Sequence, residues 1–146
     1  MPLQLTQEIK DLVNNGLVSG NPMVLAVVTA LNRPRLSFRG STQAYSDDAL
    51  CFWLRNTSGE TIDAIRHNPS VAMMYRSASV PLLQFQGRAR IAADEVERAR
   101  VYESAPERER ASDPERKGIA VVIDLDRVEG VLGRDENGPR FFRADR

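Results

Sequence analysis

The sequence predicts a mainly β protein, an antiparallel β-barrel with flanking helices, built as one domain. Its apolar residues fall into many short β-branched or alternating runs separated by turn residues, a pattern typical of barrels and sandwiches. The helical patterns between these runs are short and irregularly spaced, which disfavours a doubly wound sheet with regular βαβ units. The length of 146 residues is that of a single domain, which we assign to residues 1–146.

Six barrel strands are predicted, at residues 23–30, 35–41, 49–54, 71–75, 83–91 and 119–128, with a final edge strand at 140–143. The run at 49–54 has almost no polar position, which indicates that both of its faces are covered. The run at 83–91 alternates between apolar and polar residues, and Gly87 on its apolar side is typical of a bend or bulge. The strand that begins at residue 119 is expected to extend toward Leu132.

Three short helices are predicted between these strands, at residues 6–16, 58–68 and 94–104. Thr6, Ser58 and Asp94 are the predicted N-cap residues, because a side-chain oxygen at the cap accepts a free N–H of the first turn. The second helix ends at Pro69, which cannot continue it. Residues 105–117 are rich in charge and contain two prolines, so we predict a surface connection with one helical turn. The charge-rich stretch at 94–117 is predicted to be a solvated face, and its functional alternative is a flap over a binding groove.

The composition excludes several classes of function. Twenty basic and twenty acidic residues balance, which disfavours a nucleic-acid binder. The sequence has no apolar run of the roughly 20 residues that cross a bilayer and no secretory signal, so we predict no membrane partner and a cytoplasmic protein. A single cysteine and a single histidine disfavour a zinc site and form no recognisable nucleophile arrangement. We therefore predict neither a metal site nor a catalytic side chain.

Residues 39–69 carry the chemistry of a phosphate site. The guanidinium groups of Arg39 and Arg55 precede a helix start that contains Ser58, Gly59 and Thr61. Guanidinium groups, hydroxyls and free helix N–H groups are the donors that bind phosphate. The alternative is that both arginines are ordinary surface residues, since a shift of strand register by one residue would turn Arg39 away.

Other conspicuous side chains are given structural roles. Trp53 and Cys51 lie on the most apolar strand and are predicted to be core residues, although a tryptophan there could also stack near a ring. His67 falls at the end of a helix, where its cationic form suits the helix dipole. Gln84 and Gln86 are outward polar positions of an alternating strand, and the alternative is a hydrogen bond to a cofactor ring.

The order of these motifs resembles that of the pyridoxamine 5'-phosphate oxidase-like proteins, which are flavin-binding split β-barrels. The resemblance covers about residues 23–131. It rests on Arg39, the segment FWLRN at 52–56, the helix start at 58–61, NP at 68–69, VAMMY at 71–75 and QFQGRARI at 84–91. It implies a six-stranded antiparallel split β-barrel of the FMN-binding type. It also implies a homodimer with two FMN sites between the subunits.

The resemblance assigns cofactor-binding roles to eight residues. Arg39 takes the position of an arginine that meets the FMN phosphate, and Gln84 lies on a strand near the ring edge. The segment beside the flavin ring and ribityl chain consists of Leu54, Arg55 and Asn56. The phosphate-binding helix start consists of Ser58, Gly59 and Thr61.

The sequence departs from the family pattern at two places. The family often has a basic pair after the hydroxyl residue at the helix start, whereas this chain has Gly59, Glu60 and Thr61. Glu60 weakens phosphate binding unless it points outward or Arg55 replaces the missing lysine. The C-terminal tryptophan and arginine that grip a vitamin B6 substrate in true pyridoxamine phosphate oxidases are also missing before residue 146.

We therefore expect an FMN-dependent oxidoreductase that acts on a small molecule, with the cofactor carrying the reaction. One alternative is a reductase on the same fold that uses the deazaflavin F420. Another is a non-catalytic carrier or sensor that binds flavin or haem.

Overall fold

The computed structural model describes residues 2–146, which form four helices and eight strands. The helices are α1 (Gln7–Asn14), α2 (Glu60–His67), α3 (Glu95–Ser104) and α4 (Glu107–Ala111). The strands are β1 (Met23–Val28), β2 (Pro34–Arg39), β3 (Gln43–Ser46), β4 (Ala49–Leu54), β5 (Ser70–Arg76), β6 (Leu82–Ile91), β7 (Ile119–Asp135) and β8 (Gly138–Asp145). Across this part of the chain, every helix is too short or too polar to cross a membrane.

All strand pairs are antiparallel and belong to one sheet, in the order β2-β1-β5-β6-β7-β4-β3, with β8 paired to β7. This arrangement confirms the mainly β split barrel with flanking helices. The predicted strand count was low, because β3 was missed. β3 has only four residues and no apolar alternation, and it is held partly by Asn14, whose Oδ1 accepts the Ala44 N–H at 2.8 Å.

The interior of the barrel, which we call the barrel core, is built from matching positions on neighbouring strands. Leu25, Met73, Phe85 and Val128 are paired in register across β1, β5, β6 and β7, and each is at most 1% exposed. Directly paired residues share a face of the sheet, so their side chains meet inside the barrel. Helix α1 covers one side with buried apolar residues, and Thr6 caps it as predicted, accepting the Ile9 N–H at 3.2 Å.

Strand β4 is buried on both faces, as its apolar sequence predicted. Leu50, Phe52 and Leu54 point into the barrel core. The alternate residues belong to a second cluster, which we call the satellite core and which lies beneath α3. Its members are Ala49, Cys51, Trp53, Ala92, Val101, Tyr102, Ala120 and Val122.

The outer surface of β2, β1 and β5 is apolar, and we call it the apolar outer face. Phe38, Val24 and Met74 form one paired row, and Leu36, Ala26 and Ala72 form the next. Leu36 and Phe38 are each 70% exposed. Leu36 and Phe38 lie on the same face of β2, so this strand turns its large apolar residues outward.

The predicted bulge at Gly87 is confirmed by a shift of register between Gln86 and Gly87 in the β6–β7 pairing. A Cβ at Gly87 would lie 2.3 Å from the carbonyl oxygen of Asp124. Glycine is needed here because the two backbones approach too closely for any side chain.

Candidate functional site

A cleft of about 300 Å³ lies where the chain leaves β2 and β4. It is lined by Phe38, Arg39, Gly40, Ser41, Trp53, Arg55, Asn56 and Glu109. Ser41 joins the two chain exits, since its Oγ accepts the Trp53 N–H at 2.9 Å and donates to the Trp53 carbonyl at 3.1 Å. This clamp brings Arg39 and Arg55 to the same cleft.

Arg39 is partly buried and lies among like charges. Burial lowers the pKa of its guanidinium, repulsion by Arg35 and Arg55 lowers it further, and Glu109 opposes this shift. Its Nε donates to Ser37 Oγ at 3.2 Å, which leaves other N–H groups of the fork unused. The cleft therefore disfavours additional positive charge and favours an anion.

The loop between β4 and α2 is shaped by Asn56. Its Oδ1 accepts the Ser58 N–H at 3.2 Å, and a Cβ at Gly59 would lie 2.5 Å from its Nδ2. The predicted capping role of Ser58 is wrong: the N-cap of α2 is Gly59, and no side chain bonds to the free N–H groups there. Asn56 holds the loop in a turn, so α2 begins one residue later than Ser58 would allow.

The start of α2 is more acidic than basic. Glu60 points outward, its side chain is 72% exposed, and its carboxylate pairs with Arg35 at 3.0 Å. Thr61 is only 6% exposed and packs inside the fold. Of the residues predicted at this helix start, Ser58 is exposed and Thr61 is buried, and both lie outside the lining of the cleft.

The remaining predicted residues are spread over the barrel. Leu54 is 1% exposed and its side chain lies in the barrel core. Gln84 pairs with Met74 and so belongs to the outer surface of the sheet, beside the apolar outer face. Of the eight predicted residues, the structure thus brings together Arg39, Arg55 and Asn56. The other five lie outside the lining of the cleft: Leu54, Ser58, Gly59, Thr61 and Gln84.

Trp53 belongs to the satellite core and also lines the cleft. It is 4% exposed, as expected for a core residue, and its ring meets the Tyr102 ring edge-on with centroids 5.0 Å apart. The Arg98 guanidinium lies 4.9 Å from the centre of the indole. The indole N–H donates to Asp113 Oδ2 at 2.9 Å. Trp53 therefore links the cleft to the charged segment at 105–117.

That charged segment is a wall of the cleft. The Tyr102 hydroxyl lies 3.1 and 3.0 Å from the carbonyl oxygens of Arg110 and Asp113. The Asp113 carboxylate also accepts the N–H groups of Lys117 and Gly118 at 3.1 and 2.8 Å. Partial burial raises the pKa of Asp113, but the hydrogen bonds from Trp53, Lys117 and Gly118, together with the charge of Arg55, lower the pKa overall.

Glu109 was not anticipated from the sequence. It lies on α4, which fits the predicted single helical turn within 105–117. Only the predicted alternative of a flap over a groove indicated that this charged stretch could line a site. Nothing in the run of charges distinguishes Glu109 from its neighbours.

The chain's cysteine and histidine lie outside the cleft. Burial raises the pKa of the Cys51 thiol to about 11, so it is not a thiolate at neutral pH. His67 is exposed at the last residue of α2. Within residues 2–146 no group of three His, Cys, Asp or Glu side chains is placed to hold a metal ion. The cleft offers charge and hydrogen-bond donors.

A family model described as pyridoxamine 5'-phosphate oxidase matches residues 5–131. The chain belongs to the pyridoxamine 5'-phosphate oxidase family. The match begins earlier than the predicted resemblance and ends at the same residue. A search of curated proteins found no match.

Solved structures share the fold at low sequence identity. HupZ of Group A Streptococcus has a TM-score of 0.71 at 20% identity, over 93% of this chain and 98% of that one. A Clostridium acetobutylicum protein related to general stress protein 26, of the pyridoxinephosphate oxidase family, has a TM-score of 0.63 at 10% identity, over 94% and 96%.

A haem-binding protein from Mycobacterium smegmatis has a TM-score of 0.68 at 16% identity, over 97% of this chain and 59% of that one. These likenesses show the shared split barrel and leave the ligand of this chain open.

Proposed function

We propose that the protein binds FMN through the cleft and acts as an FMN-dependent oxidoreductase on a small organic molecule. The observation that carries the proposal is the pair of arginines, Arg39 and Arg55, in a partly buried cleft. Two guanidinium groups that repel each other gain stability when an anion lies between them. Family membership makes a flavin phosphate the preferred anion.

The residues of the cleft fit the phosphate end of FMN. The phosphate carries roughly two negative charges, which the guanidinium groups of Arg39 and Arg55 would neutralise. The exposed Asn56 amide supplies a further donor. The acidic start of α2 contributes less than the family pattern implied, so phosphate binding rests on the arginines. When bound, FMN would supply hydride or electron transfer, and the protein's part is to bind, orient and shield it.

We further propose a homodimer that buries the apolar outer face. Phe38 belongs both to this face and to the lining of the cleft, so a second copy packed there would cover the mouth of the cleft. A paired set of exposed apolar residues on an edge strand and its neighbours is typical of an interaction surface. Gln84 borders the same face, which keeps it as a proposed contact to a cofactor shared between subunits.

FMN titration tests the cofactor. Binding should quench flavin fluorescence, and Arg39→Ala should weaken FMN binding by about tenfold or more, because a charge-assisted contact to phosphate is lost. Arg134→Ala is the matched control, since it removes the same charge from the exposed β7–β8 hairpin. Equal binding by wild type and Arg39→Ala would remove Arg39 from the site.

Sedimentation tests the dimer. Phe38→Glu places a charge in the apolar outer face and should yield monomers, because burying an unpaired carboxylate is costly. Phe141→Glu is the control, since Phe141 is 76% exposed on β8, which β6 and β7 separate from the nearest strand of that face, β5. Monomeric wild-type protein at micromolar concentration would contradict the proposed dimer.

The second candidate is a non-catalytic carrier or sensor of flavin or haem. The helix start favours it, since the chain has Gly59, Glu60 and Thr61 where the family often has a basic pair. A reductase that uses F420 stays an alternative within the enzyme class. Turnover assays with NADPH or reduced F420 over a panel of acceptors distinguish a carrier from an enzyme, because a carrier binds its cofactor without turnover. The cytoplasm stays the predicted compartment.

A further inference from the structure

Glu109 is the acidic member of a cleft that otherwise carries positive charge. The charged residues in the lining are Arg39, Arg55 and Glu109, which together give a net charge of about one positive unit. The Glu109 carboxylate packs against the backbone of Gly40, where a Cβ would lie 2.6 Å from its Oε1. The missing side chain of Gly40 therefore leaves room for the carboxylate in the cleft.

The position of Glu109 is set by the fold. Helix α4 follows the buried Ala105, and the Tyr102 hydroxyl lies against two carbonyl oxygens of the α4 segment. Arg110, the next residue, donates from Nη1 to the Glu103 carbonyl at 2.8 Å. Because these hydrogen bonds join α4 to α3, Glu109 lines the same cleft as Arg39 and Arg55.

We infer that Glu109 is an internal counter-ion that competes with the ligand's phosphate for Arg39 and Arg55. Its charge opposes the shift in the pKa of Arg39 that burial and the neighbouring arginines cause. A phosphate dianion that enters the cleft meets this carboxylate as well as the two guanidinium groups. Glu109 therefore weakens the binding of phosphorylated ligands and makes it reversible, as a dissociable cofactor requires.

The inference rests on the proposed anion site and predicts selectivity between ligands. FMN and riboflavin share the flavin ring, and only FMN carries the phosphate. Removing the Glu109 charge should strengthen FMN binding and leave riboflavin binding unchanged. We expect about a tenfold gain for FMN, because one unit charge acts on a dianion across a partly screened cleft.

The test compares wild type, Glu109→Gln and Glu107→Gln. Glu107 is the matched control, since it lies on the same helix and is exposed outside the cleft. The probes are FMN, riboflavin and inorganic phosphate. Flavin fluorescence reports the first two, and the fluorescence of Trp53 reports phosphate, because the chain has a single tryptophan and it lines the cleft. Glu109→Asp should fall between wild type and Glu109→Gln.

The outcomes separate this inference from the proposed function. The inference is supported if Glu109→Gln binds FMN and phosphate more tightly than wild type does and Glu107→Gln does not. FMN binding that is equal in all three proteins overturns it and leaves the proposed function standing. Phosphate binding that tightens in Glu109→Gln without any FMN binding supports the counter-ion and overturns the flavin function. Failure of Glu109→Gln to bind both FMN and phosphate overturns the inference.

Discussion

The two faces of β4 pack against cores of different chemistry. On one face, Leu50, Phe52 and Leu54 belong to the buried apolar cluster of the barrel core. On the other, Trp53 adds an indole hydrogen bond to Asp113 and a guanidinium above its ring. The barrel core stabilises the fold but does not orient particular groups, since apolar contacts are non-directional. The satellite core orients groups, and it attaches the walls of the cleft to the barrel.

The largest expected effect is on the barrel side. Phe52→Ala should lower the free energy of unfolding by about 3–5 kcal/mol, because it removes a fully buried ring and leaves a cavity. Phe52 is 0% exposed. Urea denaturation followed by circular dichroism measures this change. Phe141→Ala is the control, since Phe141 is 76% exposed and its truncation should cost about 0.5 kcal/mol or less. Similar costs for the two variants would contradict the role given to the barrel core.

A smaller effect on stability is expected at Gly118, which lies against Trp53 of the satellite core and Leu54 of the barrel core. In Gly118→Ala the new Cβ would lie 2.5 Å from Trp53 Nε1 and 2.7 Å from the Leu54 carbonyl oxygen. Overpacking should cost about 1–3 kcal/mol and displace the indole from Asp113. The emission of Trp53 should therefore shift along with the unfolding midpoint. In Gly133→Ala the nearest atom lies 3.4 Å away, an ordinary contact, so an equal cost there would argue against steric displacement.

The smallest effect is a dependence of the unfolding free energy on pH through Asp113, which accepts the indole N–H of Trp53 in the satellite core. The pKa of Asp113 is lowered in the folded protein, so its stabilisation is fully present above the unfolded pKa of about 3.9. It is lost as the pH falls through the lower folded pKa. The advantage of wild type over Asp113→Asn, about 1 kcal/mol at pH 6, should shrink as the pH falls below about 3.9.

Unfolding free energies measured from pH 6 to pH 2.5 check this trend. A difference between wild type and Asp113→Asn that stays constant over this range would contradict the predicted loss of stabilisation.

Much of the fold could be predicted because it depends on local patterns. The alternation of β6, the capping by Thr6 and the burial of both faces of β4 follow from neighbours within a few residues. The cap of α2 was predicted wrongly because Asn56 accepts the Ser58 N–H and holds Ser58 in the turn before the helix, so that Gly59 becomes the N-cap. β3 was missed because four residues without alternation give too weak a pattern.

The sequence by itself determined the barrel, its family and the arginines that form the cleft. Only the tertiary structure decided which residues meet there. Arg39 and Arg55 converge because Ser41 bonds to the backbone of Trp53. Glu109 joins them because hydrogen bonds between Tyr102 and Arg110 and between Arg110 and Glu103 tie α4 to α3. Residues far apart in the chain meet through strand register and long-range packing, and neither leaves a local pattern that the sequence alone displays.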